Sequence, residues 1–219
     1  MQSIGGDFGA FICNILSGPL TYGGGVFILC ISLIPTTYKK VTYHVLLFMS
    51  IISIDFILKI MYGRIRPFLI NPDIKISECP CDYGMPSGHS GNAVVIYYII
   101  NQFAAAHFDK KVNKTEKDQF LRYLTTSLCV SLGLIIPLTR IYLGVHSWNQ
   151  VIMGILITML FILFTNEDMM FNLLKEMRKS LLYPILVLGI CIIITGYLVV
   201  MFYIRKNKSS EYDTNMYWS

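Results

Sequence analysis

The sequence predicts an all-α protein built as a bundle of six membrane-spanning helices. Of its 219 residues, 54% are hydrophobic and only 14% are charged, whereas a soluble domain carries roughly 25% charged residues. The hydrophobic residues also lie in long runs without Asp, Glu, Lys or Arg, and about 20 apolar residues in a helix cross the hydrocarbon core of a bilayer. This composition excludes a soluble globular enzyme, a disordered chain and a coiled coil.

Six apolar runs are the candidate spans. They are Phe8–Tyr38, Val41–Leu58, Tyr83–Phe108, Tyr123–Thr139, Ile141–Asn166 and Ser180–Ile204, of which only the second contains a charged residue, Asp55. The sequence Ser17-Gly18-Pro19 is expected to divide the first run into a short interfacial piece and a span. No basic region precedes that run, so a cleaved signal peptide is not expected. Six helices of about 20 residues use roughly 120 residues, which predicts one membrane domain over 1–204 and a polar tail over 205–219.

The chain has a net charge of +5, and its cations are distributed unevenly among the connections between the predicted spans. Ten of the 18 cations follow odd-numbered spans: Lys39, Lys40, Lys110, Lys111, Lys114, Lys117, Arg122, Lys175, Arg178 and Lys179. The positive-inside rule makes that face cytoplasmic, so the charge indicates topology and no nucleic-acid partner. The tail cations Arg205, Lys206 and Lys208 oppose this orientation. Asn113 and Asn207 begin glycosylation acceptor patterns on opposite faces, so a glycan on either would fix the topology.

Basic residues crowd the end of the second span. Lys59 and Arg66 are seven residues apart, which places them near one face if the helix continues that far. Gly63 and Pro67 instead favour a helix end at the mouth of the bundle. Considered alone, these cations are more often residues that extend to the interface, with Asp55 pairing with Lys59 one turn away.

Two further motifs combine histidine with residue types that bind phosphate. Pro86-Ser87-Gly88-His89 opens the third span, where first-turn amides and the helix dipole form an anion site and His89 can donate a proton near neutral pH. Between the fourth and fifth spans, Arg140 supplies a planar donor fork for phosphate oxygens. His146 opens the next helix, with Gln150 one turn on. All three motifs fall on one side of the predicted topology, which predicts a site that binds and cleaves a phosphate ester.

The one close pair of cysteines does not predict a metal site, because Cys79-Pro80-Cys81 lacks two further nearby ligands for zinc.

Together the three motifs resemble the signature of the type-2 phosphatidic acid phosphatase and vanadium haloperoxidase superfamily. The matching segments are Lys59-x6-Arg66-Pro67, Pro86-Ser87-Gly88-His89 and Thr139-Arg140-x5-His146-x3-Gln150, in that order. The six-span layout is similar to that of the membrane lipid phosphatases in this superfamily. The haloperoxidase branch contains soluble proteins, so the composition argues against it.

The resemblance implies a role for each matching residue. His146 corresponds to the nucleophile that forms a phosphohistidine intermediate. His89 corresponds to the acid that protonates the departing oxygen and later activates water. The phosphate-binding groups correspond to Lys59, Arg66, Ser87, Gly88 and Arg140. The implied mechanism requires no metal or other cofactor, because arginine, lysine and helix amides supply the stabilising charge.

Two positions depart from the family pattern. Thr139 replaces the usual Ser and keeps a hydroxyl, and Gln150 replaces the usual Asp that orients the nucleophilic histidine. A Gln carbonyl accepts a hydrogen bond from the imidazole N–H but supplies no negative charge, so we expect His146 to be correctly oriented and less basic. In having Gln at this position, the motif resembles that of the dolichyl diphosphatases and the glucose-6-phosphatases, which act toward the lumen of the endoplasmic reticulum.

The resemblance therefore implies a membrane phosphatase acting on a lipid phosphate or a polyprenyl (dolichyl) diphosphate. Its expected partners are the bilayer and that lipid, and its expected location is the endoplasmic reticulum or another endomembrane, with the site facing the lumen. One alternative is a sugar-phosphate phosphatase of the glucose-6-phosphatase type, although that family has nine spans and longer chains. The other is a catalytically weak phospholipid-binding relative, for which Gln150 is the only support.

Overall fold

The computed structural model describes residues 6–17, 38–71, 73–74, 76, 82–109, 111 and 115–179, together with residues 185, 189, 192–197, 199–201, 203 and 204. In chain order its helices include α1 (Gly6–Ser17), α2 (Tyr38–Tyr62), α3 (Pro67–Ile70), α4 (Gly88–Asp109), α5 (Glu116–Tyr142), α6 (Trp148–Phe164) and α7 (Glu167–Lys179). Residues 192–197 are also helical. No strand occurs within the described ranges, and the all-α prediction is confirmed.

Two helical segments in the described part of the chain are long and apolar enough to cross a bilayer. They are 40–70, which joins α2 and α3, and α5. A third is obtained if α6 and α7, which meet at an angle of 71°, form one bent span. The helix α4 has 22 residues, but polar residues such as His89 and Asn92 lower its hydropathy. The prediction of six spans is therefore not confirmed.

Several predictions fall on residues that the structure does not describe. From the first apolar run only α1 and Tyr38, the first residue of α2, are described, and the predicted division at Ser17-Gly18-Pro19 extends into residues outside the described ranges. About half of the sixth run lies outside the described residues, as do the tail, both glycosylation acceptor asparagines and the Cys79-Pro80-Cys81 segment.

The predicted limits of the fourth and fifth spans are wrong. Helix α5 begins at Glu116, since Thr115 and Asp118 form a capping box in which each side chain bonds the other residue's backbone N–H. It continues to Tyr142, so Arg140 lies in its last turn and not in a connection. Helix α6 begins at Trp148, which leaves His146 in the turn between the two helices. Hydropathy finds the apolar centre of a helix, whereas capping residues and glycines set its ends.

Helix α4 forms the centre of the described bundle. Its buried side chains pack against α2 on one side and against α5 on the other. The first cluster contains Tyr43, Leu47 and Ile51 with Val95, Ile96 and Ile99, and the second contains Ala93 and Tyr97 with Cys129 and Ile136. On the outer surface of the bundle, large apolar side chains of α5 and α6 such as Phe120, Leu163 and Phe164 are exposed. An outward apolar surface of this kind suits contact with lipid.

Candidate active site

A tight turn joins α5 to α6 and holds the third motif. Gly144 has a φ of 72°, a backbone conformation that glycine adopts without steric cost. This turn lets the His146 N–H donate to the carbonyl of Arg140 at 3.3 Å. The Arg140 and His146 side chains are both almost fully buried, each with 2% of its surface exposed. The turn therefore places a buried guanidinium and a buried imidazole next to one another.

The hydrogen bonds of His146 define its tautomer. Its Nδ1 faces two acceptors, the Gly84 carbonyl at 2.9 Å and the Gln150 Oε1 at 3.2 Å. Its Nε2 faces Arg66 Nη1 at 3.1 Å, and a guanidinium can only donate. The proton therefore lies on Nδ1 and the lone pair on Nε2. Burial, and then the positive charges of Arg66 and Arg140, lower the pKa of His146 from 6.5 to about 3, so its imidazole is neutral near neutral pH.

Gln150 connects three parts of the site. Its Oε1 accepts from His146 Nδ1 and from the backbone N–H of Ser147, both at 3.2 Å. Its Nε2 donates to the Ile65 carbonyl at 3.1 Å, next to Arg66 in the first motif. A Cβ added at Gly84 would lie within 2.9 Å of the Gln150 amide, so the amide packs flat against this glycine. The predicted bond to the imidazole is present, and the amide N–H₂ has a second function that an Asp could not perform.

The first motif begins where α2 ends. Gly63 has a φ of 52° and donates its N–H to the Lys59 carbonyl at 2.9 Å, which turns the chain out of the helix. Arg66 is extended, with φ −81° and ψ 153°, as the residue before a proline usually is. Arg66 Nη1 also donates to the Val145 carbonyl at 3.0 Å. This guanidinium is thus fixed against the turn that carries His146.

Asp82 is a site residue that the sequence prediction missed. Its carboxylate accepts from Lys59 Nζ at 2.5 Å through Oδ2 and from Arg66 Nη2 through Oδ1. Arg66 Nε donates to the Asp82 carbonyl at 3.0 Å. Partial burial alone would raise the pKa of Asp82, but the hydrogen bonds and charges of Lys59 and Arg66 outweigh it and hold that pKa below its ordinary value. Nothing in the local sequence distinguishes Asp82 from Asp73 or Glu78 in the same connection.

The second motif forms the start of α4 and packs tightly on α6. The Ser87 N–H donates to the Gln150 carbonyl at 3.0 Å. A Cβ added at Gly154 of α6 would lie only 2.5 Å from the Ser87 carbonyl oxygen, so the two backbones are in contact. Ser87 Oγ accepts from Ser90 Oγ at 2.8 Å and keeps its own proton to donate. The Ser90 and Gly91 N–H groups donate to the Ser87 carbonyl, both at 3.1 Å, and the Gly88 N–H is the first amide of the helix, at the positive end of its dipole, where anions bind.

The second motif also lies beside the end of α2. A Cβ added at Gly88 would lie 2.6 Å from Asp55 Oδ2 and 3.6 Å from Lys59 Nζ. Asp55 is 3.8 Å from Lys59 Nζ, in the predicted one-turn pair. Glycine at position 88 therefore allows the Lys59 ammonium to approach the first turn of α4.

The two histidines of the motifs share one set of cations. The positive charges of Arg140, Lys59 and Arg66 act on the His89 ring, and the same three charges act on His146. The structure thus brings together all eight residues that the sequence nominated: Lys59, Arg66, Ser87, Gly88, His89, Arg140, His146 and Gln150. Within the described residues, no group of three or more His, Cys, Asp or Glu side chains could hold a metal ion.

Buried cations, a helix start and a neutral histidine together define a phosphoryl-transfer type of site at one end of a helical membrane bundle. The sequence model of the PAP2 superfamily matches residues 39–174, and the chain belongs to this superfamily. The prediction of the superfamily is confirmed, and the chain is an integral membrane protein with a phosphatase fold.

The fold is also similar to a solved structure, described as the crystal structure of the first transmembrane PAP2 type phosphatidylglycerolphosphate phosphatase from Bacillus subtilis. The TM-score is 0.52 and the sequence identity is 22%, and the match covers 70% of this chain and 74% of that one. No curated protein sequence matches the chain significantly.

Proposed function

We propose that the protein is a metal-independent membrane phosphatase that hydrolyses a lipid phosphate or a polyprenyl (dolichyl) diphosphate through a phosphohistidine on His146. The observation that carries this proposal is the state of the His146 ring. Its proton lies on Nδ1, and its Nε2 lone pair faces Arg66 Nη1 at 3.1 Å, while the charges of Arg140 and Lys59 also act on the ring. A neutral, oriented imidazole surrounded by positive charge is suited to attack phosphorus and to stabilise the charge that develops on the phosphoryl oxygens.

The reaction proceeds in two steps. The negatively charged phosphate binds among the cations, and His89 beside it takes up a proton from solvent. His146 Nε2 then attacks phosphorus, an N–P bond forms, and the bond to the leaving oxygen breaks while His89 supplies its proton to that oxygen. His89, now neutral, takes a proton from water, and the resulting hydroxide breaks the N–P bond and releases phosphate. Lys59, Arg66 and Arg140 neutralise the phosphoryl oxygens throughout, while the Ser87 hydroxyl and the Gly88 amide donate hydrogen bonds to them. Gln150 and the Gly84 carbonyl hold the His146 ring as its charge changes.

A lipid substrate is supported by the setting of the site and by the structural neighbour. The site lies at the ends of apolar helices, where a headgroup and the hydrocarbon core of a bilayer meet. The neighbour of known structure is named for action on a lipid phosphate. Gln150 supports a lumen-facing site in an endomembrane, because the dolichyl diphosphatases and the glucose-6-phosphatases that it resembles both carry Gln at this position. Of their two substrate classes, the apolar setting of the site favours the lipid diphosphate.

The test is phosphate release by the full-length protein in detergent micelles containing EDTA. Phosphatidate, a polyprenyl diphosphate and glucose 6-phosphate are compared, each labelled with ³²P. We expect hydrolysis of a lipid substrate and acid-labile label on the wild-type protein, and neither with His146→Ala. His107→Ala, at an exposed histidine near the end of α4, is the matched control and should keep both. Preference for glucose 6-phosphate would favour the sugar-phosphate alternative, and phosphate binding without labelling or turnover would favour a binding protein.

A further inference from the structure

We propose that the Asp82 carboxylate is an internal anion occupying the phosphate subsite, and that the phosphate of a substrate displaces it from Lys59 and Arg66. The proposal rests on the phosphatase function argued above. It assigns to Asp82 control over how tightly the site binds phosphate.

The first support is the way in which Asp82 uses its two oxygens. Oδ2 lies 2.5 Å from Lys59 Nζ, and Oδ1 forms an ion pair with Arg66 Nη2. Each oxygen thus contacts one of the two first-motif cations, as two oxygens of a tetrahedral phosphate would. An anion that bridges these two cations from another direction would have to share the same donors with Asp82.

The donors of Arg66 are the second support. A guanidinium has five N–H groups, and four of those in Arg66 have acceptors within the described residues. Nε donates to the Asp82 carbonyl, Nη1 to the Val145 carbonyl and His146 Nε2, and Nη2 to Asp82 Oδ1. Attack on phosphorus requires His146 Nε2 to leave Nη1. A two-point grip on the phosphate by Nη1 and Nη2 is completed when the Asp82 carboxylate also leaves.

Access to the site is the third support. Arg66, Arg140 and His146 are each at most 3% exposed, so a phosphate reaches them only after a covering group moves. The Asp82 side chain is 50% exposed and lies outside any helix. Its backbone is held shortly afterwards, where the Gly84 N–H donates to the Arg64 carbonyl at 2.8 Å. Rotation of the Asp82 side chain therefore uncovers two cations without breaking a helix.

The balance of charge also favours exchange. A phosphate monoester carries about two negative charges near neutral pH, whereas the carboxylate carries one. The larger charge interacts more strongly with Lys59, Arg66 and Arg140 together, so a phosphate can replace Asp82 although the carboxylate is already in place. The carboxylate meanwhile keeps the buried cations paired between turnovers.

The experiment is a calorimetric titration of the full-length protein in detergent micelles with inorganic phosphate. We expect Asp82→Asn, which keeps the size and removes the charge, to bind phosphate about fivefold more tightly than wild type, the effect of removing one half-exposed charge from a pair of cations. The KM for phosphatidate should fall by a similar factor. Asp82→Ala should show the same gain, whereas Asp82→Glu keeps the charge and should show none. Asp73→Asn, an exposed neighbour, is the matched control and should equal wild type.

Equal or weaker phosphate binding by Asp82→Asn would overturn the proposal, since the carboxylate would then hold the cations in place and not compete for them. That result would leave the proposed function intact if the wild-type protein still becomes labelled and turns over. Absence of phosphate binding by both proteins would refute the function and this inference together.

Discussion

The role of Gln150 can be tested by replacing it with methionine, which has a similar length and no hydrogen-bonding amide. The change removes three hydrogen bonds: to His146 Nδ1, to the Ser147 N–H and to the Ile65 carbonyl. A buried polar group left without a partner costs about 1–3 kcal/mol. We therefore expect the free energy of unfolding to fall by about 2–4 kcal/mol, with the Ile65 carbonyl and the Ser147 N–H each contributing.

The expected effect of Gln150→Met on the rate is smaller than its effect on stability would suggest. His146 Nδ1 keeps its bond to the Gly84 carbonyl at 2.9 Å, so the ring keeps its tautomer and loses only one of two orienting acceptors. We expect the loss of this one acceptor to raise the activation free energy by about 1.4 kcal/mol, which corresponds to a tenfold decrease in kcat. The assay is phosphatidate hydrolysis in mixed micelles at a temperature well below the unfolding transition of the variant. Gln102→Met, on the exposed surface of α4, is the matched control and should leave kcat unchanged.

Two results would refute this reasoning. If Gln150→Met lost as much activity as His146→Ala, the Gly84 carbonyl would not hold the ring. If it lost neither rate nor stability, the three hydrogen bonds of Gln150 would not matter in the working protein.

Three further predictions follow from the described contacts. Gly154→Ala places a Cβ against the Ser87 carbonyl and should lower both the unfolding temperature and kcat, whereas Gly133→Ala, whose Cβ would meet its nearest neighbour at 3.9 Å, should change neither in the same assays. Arg140→Lys removes the planar fork and should lower kcat/KM for phosphatidate by at least about tenfold, while an unchanged value would exclude a two-point grip on phosphate. Folding lowers the pKa of His146 from 6.5 to about 3, so between these pH values the unfolded state binds more protons than the folded state. The contribution of His146 to the free energy of unfolding is therefore full above about pH 6.5 and is lost as the pH falls toward 3. The unfolding temperature of wild type should therefore fall more steeply than that of His146→Gln between about pH 7 and 4, and parallel curves would contradict the buried neutral state.

The convergence of the three motifs was predictable from the sequence because it depends only on which side of the membrane each connection lies. Lys59 ends one apolar run, His89 begins the next, and His146 follows a later one, so an alternating path brings them to the same face. In the structure, the charges of Lys59, Arg66 and Arg140 act on both the His89 and the His146 ring, as convergence on one face requires. The helix ends were less predictable, because Arg140 interrupts the apolar run although the chain stays helical through it to Tyr142, and the φ of Gly144 determines where the chain turns.

The contacts that complete the site depend on tertiary pairing and have no local signal. Gln150 and Ile65 are 85 residues apart, and Asp82 reaches Lys59 across 23 residues. No periodicity or spacing rule selects Asp82 from the acids of its connection, and none shows that the small size of Gly84 makes room for the Gln150 amide. These contacts emerge only once the backbones of α2, α4 and α6 are placed beside one another.

The contact between Gly154 and Ser87 has a consequence for how the site moves. With no side chain between them, the start of α4 and the body of α6 are joined backbone to backbone, and the two histidine-bearing segments form one stiff half of the active centre. The first-motif segment is attached to that half mainly through side chains, by Arg66 and Gln150. Motions of the active site during turnover should therefore occur where these two halves meet. The segment that carries Lys59 and Arg66 should move, while the two imidazole rings stay fixed relative to one another.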